Sequence, residues 1–136
     1  MKALSVRQPY ATLIMLGIKP IETRTKHFSH RGDLLICAAK QDADWTMVDK
    51  AAIEQAKRMG VDFNNLPRGV AMCVVNVTDC RPMQDDEWSR AACKPYPGAK
   101  GLHMTNVREV EHVPITGMQG IFEVPDNLIA VLAESE

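Results

Sequence analysis

Apolar and polar residues alternate along this chain in short blocks that change period several times. Ala3-Leu4-Ser5-Val6 is a strand-length block that breaks at Gln8-Pro9. Pro9 suits the first position of a helix, where its missing N–H costs nothing. Ala11, Leu13, Ile14, Leu16 and Ile18 follow as an apolar face, and Gly17 offers a carboxy-terminal cap. A strand is expected over 20–24, then a polar loop over 26–30. After Arg31-Gly32-Asp33, the run from Leu34 to Ala39 is continuously apolar, the pattern of a strand buried on both faces.

Residues 44–59 predict an amphipathic helix with Asp44 as its cap. Trp45, Val48, Ala52, Ala56 and Met59 share one face, and Gly60 ends it. Val70 to Val77 predicts another buried strand. Asp85-Asp86-Glu87 reads as the acidic start of a short helix reaching Ala92. Residues 93–101, with Pro95, Pro97, Gly98 and Gly101, are the least regular part. Strands are expected over 102–113 and 118–124, joined by a turn at 114–117, and Asp126 is expected to cap a short helix over 127–132. No internal repeat or low-complexity segment interrupts the pattern. Five or six strands with two or three flanking helices, in no regular alternation, predict an α+β fold, a small mixed β-barrel forming a single domain over residues 1–136.

Composition changes this picture little. A hydrophobic fraction of 46% and a charged fraction of 24% are ordinary for a soluble domain. No stretch approaches the roughly 18 apolar residues of a membrane span, and with charge recurring early no signal peptide is expected. A cytoplasmic protein with no membrane contact is expected. Cys37, Cys73, Cys80 and Cys93 show no C-x-x-C pair and no histidine at zinc-ligand spacing. They are expected to be reduced and structural, and neither a metal nor another cofactor is expected. His27 and His30, three apart, read as solvated loop residues. Tyr96 lies in a proline-flanked loop and reads either as a surface turn or as an aromatic lid.

Charge distribution is more informative than the net value of −1. Residues 1–31 hold Lys2, Arg7, Lys19, Arg24, Lys26 and Arg31 against one acid, Glu22; the rest of the chain is net acidic. Such asymmetry points either to a local anionic partner or to charges scattered over the folded surface. Arg7, Gln8, Lys19, Glu22 and Arg24 together would offer donors for phosphate and an acceptor for a base amino group, with Tyr10 as a stacking face. The alternative is a structural Glu22–Arg24 ion pair with Arg7 and Lys19 in solvent. Period-two alternation places Glu22 and Arg24 on one face and Thr23 on the other.

The segments LSVRQPYATLIMLGIKPIETRT and RGDLLICAAK resemble the opening of the ASCH domain, a family of the PUA-like superfamily of small β-barrels. TNVREVEHVPITGMQGIFEVP resembles its closing pattern, so the likeness spans nearly the whole chain. The resemblance implies a PUA-like barrel with a cleft for RNA or a nucleotide or nucleoside. It implies nucleotide-binding roles for Arg7, Gln8, Tyr10, Lys19, Glu22 and Arg24. Some small members hydrolyse N(4)-acetylcytidine with a lysine, a threonine three residues later and a distal glutamate. Lys19 matches that lysine, Glu22 stands where the threonine is expected, and Glu87 is the nearest distal glutamate. On that alternative the catalytic residues would be Lys19, Glu22 and Glu87, with Lys19 needing a lowered pKa. An interaction domain that binds no nucleotide is a third alternative.

Overall fold

A computed structural model describes residues 1–132. Its centre is a six-stranded mixed sheet: β1 (Lys2–Gln8), β2 (Ile21–Arg24), β3 (Gly32–Asp42), β4 (Val70–Pro82), β5 (Lys100–Glu109) and β6 (Ile121–Glu123). The spatial order is β2-β5-β4-β3-β1-β6. Only β1 and β3 run parallel, and the other ladders are antiparallel. The ladder ends at β2 and β6, and among the described residues no strand pairing joins those edges.

The apolar run of β3 is buried on both faces, as its lack of alternation predicts. Leu34 and Ile36 join Leu4, Val6, Met72 and Leu102 on one side of the sheet. Leu35 and Cys37 join Ala3, Ala71, Val110 and Phe122 on the other. All four cysteines are buried and unpaired. Burial pushes the Cys37 and Cys73 thiols up to about 12, so both stay protonated.

Helix α1 (Tyr10–Met15) fills the connection from β1 to β2. Ala11 and Ile14 pack on the sheet, whereas Leu13 faces α2 (Lys50–Arg58) through Ala52 and Ala56. Gly17 takes φ 77°, the left-handed conformation expected just beyond a helix end, and turns the chain toward β2.

The expected helix over 44–59 is split. Asp44 caps a single 3-10 turn at Trp45–Met47, and Asp49 caps α2 by accepting from Ala51 N at 3.0 Å. Each carboxylate holds its own residue in extended backbone, and Val48 between them pairs with Cys93. Two caps five residues apart therefore interrupt one helical period. As a result Trp45 is 40% exposed and Met59 54% exposed, whereas Val48, Ala52 and Ala56 are buried. Helix α3 (Trp88–Ala91) is shorter than expected, because Ala92 turns left-handed at φ 56°. Nor does the chain form a helix over 127–132. Only Asp126–Leu128 makes a 3-10 turn, and Val131 then bridges to Val110 as extended backbone. β5 and β6 are also shorter than expected, which leaves 110–120 largely irregular. Among the described residues no helix is long and apolar enough to cross a membrane.

Candidate functional site

The parallel pairing of β1 with β3 shifts register at one end: Val6 pairs with Ala38 and Gln8 with Asp42, so the single residue Arg7 of β1 faces residues 39–41 of β3. The extra residues bulge from β3 and bend it. Arg7 is exposed on the rim of a cavity of about 890 Å³, which Ala39, Lys40 and Gln41 also line. The cavity is bounded by the ends of β1 and β3, by β2, by Tyr10, by Cys93 and Tyr96, and by residues 115–120. Glu22, Thr23 and Arg24 all border it; Glu22 and Arg24 meet side chain to side chain, as residues two apart on one face of β2 do, while Thr23 turns to Cys93.

Glu22 is the anchor of this wall. It is only 4% exposed, yet it has three donors. Thr23 N reaches Oε1 at 3.2 Å, Lys19 Nζ stands 3.5 Å from the same oxygen, and Arg24 Nε reaches Oε2 at 2.9 Å. Burial pushes the Glu22 carboxyl up, but Arg24 and Lys19 outweigh it and hold the group below its ordinary value. Glu22 is therefore an ionised, acceptor-only group facing a cavity. Arg24 also donates to Ser5 O at 2.9 Å, tying edge strand β2 across to β1.

Lys19 lies behind Glu22 rather than on the cavity surface, and is 1% exposed. Its ammonium donates to Ala91 O of α3 and stands 4.4 Å above the centre of the Tyr10 ring. Burial draws its pKa down, against the pull of Glu22. Tyr10 and Tyr96 both border the cavity, and burial raises both phenols, so each remains a neutral aromatic surface.

The structure thus gathers Arg7, Tyr10, Lys19, Glu22 and Arg24 in one place. Two residues expected with them are elsewhere. Gln8 is 0% exposed and spends both ends of its amide on the fold: Nε2 donates to Pro67 O at 2.8 Å, and Oε1 accepts from Thr12 N at 3.0 Å. That second bond satisfies a first-turn amide of α1, which no helical carbonyl can reach. Glu87 is buried away from the cavity, where it accepts from Gln84 N and pairs with Arg81 at 3.0 Å. The basic residues of the first third also divide. Lys2 pairs with Glu123 and Arg31 with Asp79, while Arg7 and Arg24 reach the cavity.

Sequence reasoning missed Lys40, Cys93 and the wall at 115–120. Gly117 carried the one available signal: a Cβ there would collide with the Ser5 side chain, which would have to shift. Cys93 faces Thr23, with Sγ 3.7 Å from Oγ1, and burial raises its thiol.

The family model for the ASCH domain matches residues 4–114. Human activating signal cointegrator 1 is 38% identical over 80 residues, and the mouse protein of that name is 34% identical over 80 residues. These stretches cover 57% of this chain but 14% of each relative, so the chain corresponds to a small part of those proteins. Among solved structures, ASCH from Zymomonas mobilis superposes with a TM-score of 0.57 at 11% identity, covering 93% of this chain and 88% of that one. A point mutant of the same bacterial protein gives 0.59 at 10% identity, covering 95% and 96%. At such low identity these two likenesses concern the fold.

Proposed function

The chain belongs to the ASCH domain family, and from that premise we propose that its cleft takes a short single-stranded RNA segment or a modified nucleotide. The observation that carries this is Glu22, a buried ionised carboxylate set in the wall of a cavity rimmed by Arg7, Arg24 and Lys40. A carboxylate of this kind accepts hydrogen bonds only, which suits the exocyclic amino group of cytosine or adenine. The rim cations suit phosphate, and Tyr10 and Tyr96 supply faces for a base. Residues 1–136 act on this reading as one domain, since β6 lies beyond the matched 4–114 yet pairs with β1. The Arg24 bond to Ser5 supports reading the sheet as a partly open barrel curled around the cleft. Buried, unpaired cysteines suit a reducing, cytoplasmic setting.

Affinity for short RNA, measured by fluorescence anisotropy over a series of salt concentrations, tests the proposal. A cleft that neutralises two phosphates of a single strand should give a log–log slope of about −1.4. Arg24→Gln is expected to weaken binding about tenfold and to flatten that slope. Binding that ignores salt and needs no phosphate would overturn the reading.

A second reading, removal of the acetyl group from N(4)-acetylcytidine, is favoured by one feature. Lys19, with its pKa drawn down by burial, stands 3.5 Å from Glu22. Water would add to the acetyl carbonyl, with its proton passing to the Lys19–Glu22 pair. Collapse would return that proton to N4 as the C–N bond breaks, giving cytidine and acetate. Glu87 has no part in this version, because it does not border the cavity.

A further inference from the structure

Tyr96 borders more than the main cleft. Its ring stands edge-on to Trp88, with centroids 5.6 Å apart and planes at 60°. It also lines a second cavity of about 650 Å³, whose walls include Trp88, Pro95, Pro97, Asp85 and Lys100. The two cavities therefore share one aromatic wall. Trp88 is only partly buried, so some of its indole is free to contact a ligand.

The pairing of β2 with β5 supplies an independent observation. Arg24 and Lys100 are directly opposite each other in that antiparallel ladder. Cross-strand partners project on the same face, and like charges so placed destabilise the pair. Arg24 is balanced by Glu22, whereas Lys100 has no carboxylate partner among the described residues and donates only to Thr25 O, at 3.2 Å. Arg24 borders the first cavity and Lys100 the second. Lys100 is thus a cation without a counter-charge opposite Arg24, and an anion placed between the two would supply one.

We propose that the second cavity is a stacking subsite for the nucleotide adjoining the one in the main cleft, with the linking phosphate held between Arg24 and Lys100. Trp88, Tyr96 and the proline rings provide flat apolar surfaces that accept any base without hydrogen-bond readout. The ligand is then an oligonucleotide of at least two residues rather than a free nucleoside. This inference rests on the nucleotide reading of the main cleft.

The chain has two tryptophans, so Trp45→Phe leaves Trp88 as the only indole emitter. Trp45 packs on Phe63 and borders neither cavity. That protein is titrated with cytidine and adenosine monophosphates and with the matching RNA dinucleotides. The dinucleotides are expected to bind about tenfold more tightly and to quench Trp88, as one added base stack provides. Lys100→Gln is expected to remove most of that advantage. Dinucleotides that bind no better than mononucleotides, or that bind better without changing Trp88 emission, would overturn the subsite and leave the main cleft standing. Failure of every probe to bind would overturn both.

Discussion

Replacing Glu22 with glutamine is expected to lower the stability of the protein by about 3 kcal/mol, read as a fall in the urea midpoint. The physical reason is what remains behind. Lys19 is fully buried, and Glu22 is its only carboxylate partner among the described residues. Removing one member of a buried pair leaves a charge that water cannot reach, and such losses run to about 3–5 kcal/mol. Arg24 escapes this penalty, because its side chain is about a third exposed.

The same substitution should change the response to acid. The folded pKa of Glu22 lies below its ordinary 4.5, so its contribution is present above about pH 4.5 and is lost as pH falls through the folded value. Lys19 also has a lowered folded pKa, so burial works against its charged form and stability at that site rises toward the ordinary 10.5. Both groups therefore favour the alkaline side. In the glutamine variant the step below about pH 4.5 should shrink, because position 22 no longer titrates. An unchanged midpoint with an unchanged acid profile would show that the pair contributes nothing to the fold.

Local signals located most of the strands because their reasons were local. The run from Leu34 to Ala39 lacks alternation since both faces of β3 meet core, and Gly17 marks a helix end since the chain must turn left-handed there. Errors arose where two local preferences competed. Asp44 and Asp49 each cap a separate turn, so an apolar period that looks continuous is cut at Val48. Val131 could extend a short helix, but it bridges to Val110 instead, a partner far away in the chain.

The site was partly visible for a related reason. Arg7, Tyr10, Lys19, Glu22 and Arg24 lie within one β–α–β stretch, so short-range geometry brings them together. Gln8 belongs to the same stretch and has suitable chemistry, but its amide is needed by Thr12 and Pro67. Type and spacing cannot distinguish a glutamine that serves a helix end from one that serves a ligand. Lys40 and the 115–120 wall arrive from distant parts of the chain, where no spacing rule reaches.

Lys19→Met should separate the needs of the fold from those of the site more sharply than any other change. Methionine fills a similar volume and carries no charge into the core. Glu22 then keeps Arg24 at 2.9 Å and Thr23 N at 3.2 Å, so its carboxylate is not left alone. The loss of stability is expected to be about 1 kcal/mol, well below that for Glu22→Gln, because the carboxylate left behind keeps Arg24 as its counter-charge and no buried charge is stranded. Chemistry should respond differently. Incubation with N(4)-acetylcytidine, followed by chromatography, measures whether the parent protein releases cytidine. If it does, Lys19→Met should slow release at least about a hundredfold, the loss typical of a proton-transfer group. If the parent releases none, hydrolysis is excluded for this substrate and the same variant becomes a test of positioning. Lys19 then serves to orient Glu22, and its removal should weaken RNA affinity about tenfold while the salt slope stays with Arg7, Arg24 and Lys40. A variant as stable as expected that retains both full turnover and full affinity would mean that this buried lysine serves neither reading of the cleft.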